Sequence, residues 1–362
     1  MNRFSRHQTF LWGFVVASCL SATVGHAGMQ SPDVGTPSSV PLPGPAGWGA
    51  DDERGNGNTQ GLATRLRCAA YLAHPKSRVY ELGRVLSRTM PQNPFGDAPV
   101  DMDYLPTRGI PFTRHAGNGE VFSGGIGSQG TQFDALGHFG VLDAPWTGTE
   151  PFPAEQVTYY NGLTQAQVKP SADGPLLKLG VDKSVPVMTS AVMLDAVAYR
   201  GRRLHAGELV TAEDIEGMLR AQGLQQRGIL AGDAVFVHTG WGRLWRDPAA
   251  DPSFTEYYSQ GPGLALDAQE YLAARTVVLV ALDNPFTDPV PTPPPPATLP
   301  DLPFSVHHNN LTRHGIHQIQ NLVLDEMARD RVSLSCALVL PLRILGGAGS
   351  TVRPIAVGPS RW

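Results

Sequence analysis

Apolar residues along this chain fall into short runs broken by Gly- and Pro-rich punctuation, and the period of each run predicts its element. Ala234-Val235-Phe236-Val237-His238-Thr239 is rich in β-branched residues and reads as a strand. Residues 277–282 form a continuous apolar run of strand length, as expected for a strand buried on both faces. Val79-Tyr80-Glu81-Leu82 opens a sheet region, and short β-type runs alternate with Gly/Pro turns from there to about residue 145. The spacing predicts helices over 62–72, ending before Pro75, over 212–222 and over 264–275. The second of these has Thr211 as N-cap, Glu213 and Asp214 in its first turn and Gly223 after its end. Pro293-Pro294-Pro295-Pro296 sits in a stretch, 289–303, that neither a helix nor a central strand can hold. It reads as a loop in local polyproline conformation, either passive on the surface or a lid over a site that includes His308.

The N-terminus adds a targeting signal to this pattern. Arg3 and Arg6 precede an apolar stretch, 10–22, that is too short to span a bilayer, and Gly25 and Ala27 stand in cleavage-like positions before Gly28. The expected organisation is a signal peptide over 1–27, a flexible Gly/Pro/Ser/Asn/Asp leader over 28–60 and one domain over 61–362, acting in the periplasm or outside the cell. Val16-Ala17-Ser18-Cys19 loosely fits a lipidation box, but the apolar residues continue past Cys19, which favours plain secretion over a lipoprotein. No later segment is long enough to cross a membrane. Of the three cysteines, Cys68 and Cys336 remain after cleavage. An oxidising compartment allows them to bridge, yet two isolated buried thiols are the expectation, and no CxxC pattern points to a thiolate metal site. With 362 residues, 41% hydrophobic and 17% charged, the chain can bury a large core. Its net charge of -4 argues against a general nucleic-acid binder and leaves small molecules as partners.

Two stretches carry candidate chemistry. In Ser128-Gln129-Gly130-Thr131-Gln132-Phe133-Asp134-Ala135-Leu136-Gly137-His138, an extended backbone over 131–134 places Gln132 and Asp134 on one face and Phe133 on the other. Gly137 permits a turn that can bring His138 back toward Asp134, so carboxylate, amide and imidazole can converge as around a divalent metal, or else serve as ordinary hydrogen-bonding or solvated turn residues. In the second stretch, 305–322, Ser305 is a plausible N-cap and Gly315 a plausible stop. His308 lies in the first turn, and Gln320 follows the break on an extended piece. A single helix would set His308 and Gln320 about 120° apart, whereas a helix, a break and a strand can bring them together. His307, His314 and His317 read as a polar helix face.

These residues resemble a known family. Gly130, Thr131, Asp134 and His138 match the H-x-G-T-H-x-D-x-x-x-H signature of the cyclase family, which includes kynurenine formamidase-like and isatin hydrolase-like enzymes. The two leading histidines of that signature fall on Ser128 and Gln132. His308, Gly315, Ile316, Asn321 and Leu322 resemble the family's later His, Gly-Ile turn and Glu-Asn-Leu, with Gln320 in place of Glu. Tyr80-Glu81-Leu82, Leu194-Asp195-Ala196, 232–241 and 341–350 resemble further family stretches in order, so that the resemblance covers about 79–357. It implies an α/β fold of the swivelling β/β/α type, a mixed β-barrel-like core flanked by helices, in homodimers or larger assemblies. It also implies metal-dependent hydrolysis of a carbon–nitrogen amide bond in a small molecule of aromatic character. One divalent metal, Mn2+ or Zn2+, would sit on Asp134 and His308 with help from Gln132 and Gln320, and His138 would act as general base. Because amide oxygens are weaker ligands than imidazole or carboxylate, two metals are not expected. A metal-free binding protein on the same fold is the alternative, and a ring-closing or dehydrating enzyme a third reading. Phe122, Trp146, Trp241 and Phe286 are candidates to line an apolar pocket, beside their plainer role in core packing.

Overall fold

A computed structural model describes residues 47–94, 98–246 and 257–360 of the chain. The expected signal segment and the start of the leader lie outside these residues. Thirteen strands are present among them. They are β1 (Ser77–Glu81), β2 (Asp101–Gly109), β3 (Ala116–Ser123), β4 (Gln132–Asp134), β5 (Val187–Asp195), β6 (Leu209–Val210) and β7 (Ala234–His238). The remainder are β8 (Gly263–Leu264), β9 (Leu279–Leu282), β10 (His317–Gln320), β11 (Leu334–Val339), β12 (Gly349–Thr351) and β13 (Ile355–Pro359). Nine of them make one curled, half-barrel sheet in the order β1-β13-β11-β5-β7-β9-β10-β4-β12. Helices flank this sheet, which is the α/β architecture that the family resemblance implies.

The centre of the sheet, β5-β7-β9-β10, is parallel, and antiparallel pairings extend it on both sides. Parallel neighbours need crossovers, and helices Ala212–Ala221 and Leu266–Ala273 lie on the connections from β5 to β7 and from β7 to β9. Thr211 caps the first of these helices by accepting the Asp214 N–H, as its sequence predicts. Side chains alternate cleanly between two cores. Ala234, Phe236, Leu279, Ala281, Phe133 and Ile319 enter one, while Val235, Val237, Val280 and Leu282 enter the other with Ile215, Met218 and Leu272 of the two helices. Strands β7 and β9 are buried along their whole length because both faces are covered.

Two expectations are corrected. The stretch 47–60, read as the second half of a flexible leader, is seated on the domain. Asn56 donates its side-chain N–H to Val277 O at 3.0 Å and its backbone N–H to Gly315 O at 2.7 Å, and Glu53 accepts the Leu179 N–H at 2.7 Å. Its lack of periodicity reflects anchoring by polar side chains instead of by an apolar stripe. Cys68 and Cys336, expected as isolated thiols, are bridged, and the link joins helix Leu62–Leu72 to β11 across 268 residues. A period-based reading gives the face of each cysteine but not the partner it meets across the fold.

The carboxyl ends of β5, β7 and β9 gather an ionic cluster. His238 Nδ1 lies 2.9 Å from Asp195 Oδ1, and its Nε2 lies 3.6 Å from Asp325 and 4.0 Å from Asp283. Burial alone would lower the pKa of this imidazole, but the hydrogen bond to Asp195 and the nearby charges of Asp325 and Asp283 outweigh it and push the pKa up to about 10. The unfolded value lies near 6.5, so the folded state binds the extra proton more tightly. The stability this contributes is complete below about pH 6.5 and is lost as pH rises through about 10. We expect the thermal midpoint to decline between neutral pH and pH 10 and His238→Phe to flatten that decline. Parallel Tm–pH curves for the two proteins would contradict this assignment.

Candidate functional site

The face of the sheet that carries Val235, Val280 and Leu282 turns polar where β10 meets β4. These strands are antiparallel, with Gln320 opposite Gln132 and Gln318 opposite Asp134. Directly paired residues share a face, so four polar side chains stand together there while Phe133 and Ile319 point into the core behind them. All four are buried. Asp134 Oδ2 accepts N–H donors from Gln320 at 2.8 Å and Gln318 at 3.1 Å. The Gln320 amide also donates to Thr287 Oγ1 at 3.3 Å.

Buried acceptors without donors mark what such a patch is built to receive. Gln132 Oε1, Asp134 Oδ1 and Gln320 Oε1 are each buried with no hydrogen-bond partner. Three side-chain oxygens on one small face therefore await either a cation or N–H groups from a ligand. Among the described residues, no group of three or more His, Cys, Asp and Glu side chains is gathered as it would be to hold a metal ion. The available set is one carboxylate and two neutral amide oxygens, all hard donors.

An imidazole closes the patch. His307 Nε2 lies 3.8 Å from Asp134 Oδ2, and its Nδ1 lies 2.5 Å from Asp288 Oδ2. A carboxylate only accepts, so Nδ1 carries a proton and Nε2 faces the Asp134 side. Asp288 is itself held by the backbone N–H groups of Val306 at 2.6 Å and His307 at 3.1 Å. Burial works to lower the pKa of His307, but the bond to Asp288 and the charges of Asp288 and Asp134 raise it overall. Behind Asp134, His317 donates from Nδ1 to the Asp134 carbonyl at 3.0 Å. Burial dominates there and pushes its pKa down to about 4, so it remains neutral at pH 7.

The structure thus brings Gln132, Asp134 and Gln320 together. His138 follows in the turn after β4, where its N–H donates to Ala135 O at 2.9 Å. It is half-buried, and its ring lies 5.1 Å from Phe139, which in turn lies 5.0 Å from His307. Gly137 allows this turn, since a Cβ there would come within 2.8 Å of Leu176 and 3.1 Å of Leu179 O. His308 is buried, and its N–H donates to Phe304 O at 3.0 Å. The residue before it, His307, lies beside Asp134, although its place in the sequence reads as part of a polar helix face. The helix there is short, Ser305–His307, and continues as a π-turn over His308–Arg313. Such turns shift the phase of every side chain around them. The hidden signal was the pairing of His307 with Asp288, nineteen residues earlier across the proline-rich loop.

Aromatic rings wall this end of the site. Phe139, Phe304 and His307 are mutually in contact, and Phe304 continues to Phe286 and Tyr258. Of the four aromatic candidates, Phe286 and Trp241 belong to this buried group with Tyr257 and Tyr258. Phe122 is exposed on the β2–β3 hairpin, and Trp146 packs on Phe152 at the surface.

Comparison with known proteins fits this picture. A family described as "Putative cyclase" matches residues 80–289. The kynurenine formamidase of Bacillus cereus is 33% identical over 94 residues, which are 26% of this chain and 39% of that protein's length. Among solved structures, one described as a novel cyclase superposes with a TM-score of 0.70 at 25% identity, covering 87% of this chain and 99% of the other. Isatin hydrolase A from Ralstonia solanacearum superposes with a TM-score of 0.53 at 23% identity, covering 83% and 98%.

Proposed function

The chain belongs to the cyclase family, and from that premise we propose that it is a hydrolase of a carbon–nitrogen amide bond in a small aromatic molecule, of the aryl-formamide or cyclic-amide type. The observation that carries this reading is the buried face where Asp134, two donorless amide oxygens and the Asp288–His307 pair meet. The partial match to kynurenine formamidase and the fold shared with isatin hydrolase support the bond type.

The orphaned oxygens fit one hard divalent cation. Asp134 Oδ1, Gln132 Oε1 and Gln320 Oε1 would hold it, and an all-oxygen set suits Mn2+ better than Zn2+. When bound, such an ion supplies a Lewis acid beside the scissile carbonyl. The chain's own residues do the rest. Asp288 fixes the ring of His307 so that Nε2 faces the reacting atoms, in position to protonate the departing nitrogen. His138, at the rim of the same aromatic wall, takes the proton of the attacking water. Phe139, Phe304 and Phe286 exclude water and pack against an aryl group.

Metal content of the purified protein, with turnover of formanilide before and after chelation, tests this. About one equivalent of divalent metal, lost in Asp134→Ala, and activity restored by Mn2+ are expected. Full activity after exhaustive chelation would remove the metal from the account. A second reading, a metal-free binding protein, is favoured by the same three acceptors, which would equally receive N–H groups of a ligand. No metal under any condition, together with no turnover, would decide for it.

A further inference from the structure

We propose that four buried carboxamides form a directed relay from Arg313 to Asp134, making Gln318, Asn310, Gln269 and Asn309 positioning residues for the site carboxylate. The proposal rests on the reading of Asp134 as that carboxylate. The links are continuous. Arg313 Nη1 donates to Asn309 Oδ1 at 3.0 Å, and Asn309 Nδ2 donates to Gln269 Oε1 at 2.9 Å. Gln269 Nε2 then donates to Asn310 Oδ1 at 3.2 Å, and Asn310 Nδ2 to Gln318 Oε1 at 3.1 Å. Gln318 Nε2 completes the series on Asp134 Oδ2 at 3.1 Å. All four amides and Asp134 are fully buried.

The two ends force the direction. A guanidinium only donates, so Asn309 must present its oxygen to Arg313. A carboxylate only accepts, so Gln318 must present its amide hydrogens to Asp134. Each amide between them is then oriented head to tail, with every N–H aimed toward the carboxylate. Hydrogen bonds aligned in this way polarise one another and hold their acceptor more firmly than isolated ones. The relay engages Oδ2, which leaves Oδ1 as the donorless atom presented to the site. At the other end Arg313 is partly exposed and is held by Glu270 at 2.8 Å, which also accepts from Asn309. Neutral amides at neutral pH do not pass protons, so the relay orients and does not conduct. Replacing any one of them by an apolar residue frees the next to rotate, and from Asn309, Gln269 and Asn310 the disturbance reaches Asp134 through Gln318.

The full-length protein tests this through Gln269→Met, Gln318→Met, the double variant, Arg313→Lys and Arg313→Met. The side-chain amide resonance of Gln318, assigned by its disappearance in Gln318→Met, is expected to move in Gln269→Met although Asn310 stands between the two in the relay. With formanilide as probe, each single Met variant at 269 or 318 should lower kcat about tenfold, with KM within about twofold, and the double variant should fall no further. Arg313→Lys should retain kcat and Arg313→Met should lose it, at the one link of the relay that is partly exposed. An unmoved Gln318 resonance, or a double-variant loss equal to the product of the single losses, would overturn the relay. Lack of turnover in the unaltered protein would count against the hydrolase reading and leave the resonance result to decide the relay.

Discussion

Replacing His307 with alanine is expected to lower kcat/KM by about two to four orders of magnitude, the range over which a positioned proton donor acts. The effect should fall mainly on kcat if, as proposed, His307 serves the reacting nitrogen and the aromatic wall serves binding. Asp288→Asn retains the side-chain shape but removes the charge that orients His307 and raises its proton affinity. We expect a loss of about 10- to 100-fold there, with the basic limb of the pH–rate profile moving to lower pH. That sign follows because, without Asp288, the cationic imidazole loses its main stabilising partner and gives up its proton earlier. His308→Ala provides the contrast. If steady-state kinetics show His308→Ala to be the more damaging of the two, the assignment of the proton donor to His307 is wrong.

Reduction of the Cys68–Cys336 link is expected to destabilise the fold by about 2–4 kcal/mol, because the bridge closes a loop of 268 residues and restricts the unfolded chain. For a chain of this size that corresponds to a fall in Tm of roughly 3–6 °C. The same loss should appear in Cys68→Ala, whose thiol-sized gap lies against a fully buried site. A thiol assay under denaturing, non-reducing conditions checks the premise, and two free thiols there, with no effect of reductant on Tm, would refute it. Export to an oxidising compartment, proposed from Arg3, Arg6 and the apolar stretch after them, accords with a stabilising bridge.

Much of the fold could be read from the sequence because its signals are local. The β-branched run at 234–239 and the apolar run at 277–282 yielded β7 and β9 within a residue or two, since a strand buried on both faces has no other composition. Thr211 with Asp214 announced its helix because a cap and its donor lie three residues apart. The alternation in Gln132-Phe133-Asp134 was enough to place Gln132 and Asp134 on one face and Phe133 in the core.

The rest depended on contacts between distant parts of the chain. That His307 comes within reach of Asp134 depends on its phase around the helix, about 100° per residue, set by where the helix starts and by the π-turn that follows it. Local spacing does not hold that phase; packing against Phe139 and Asp288 does. Gln318 reads as one more polar residue until β10 is laid antiparallel to β4 and Asn310 is placed behind it. By itself, then, the sequence determined individual strands, the capped helix at 212–222 and the face of β4 that carries Asp134, and its family resemblance implied the α/β class. Only the tertiary structure decided that His307 reaches that carboxylate, that Cys68 and Cys336 bridge and which amides stand in line behind it. Periodicity sets the direction in which a side chain points, whereas the identity of what it meets is set by pairings spanning tens to hundreds of residues.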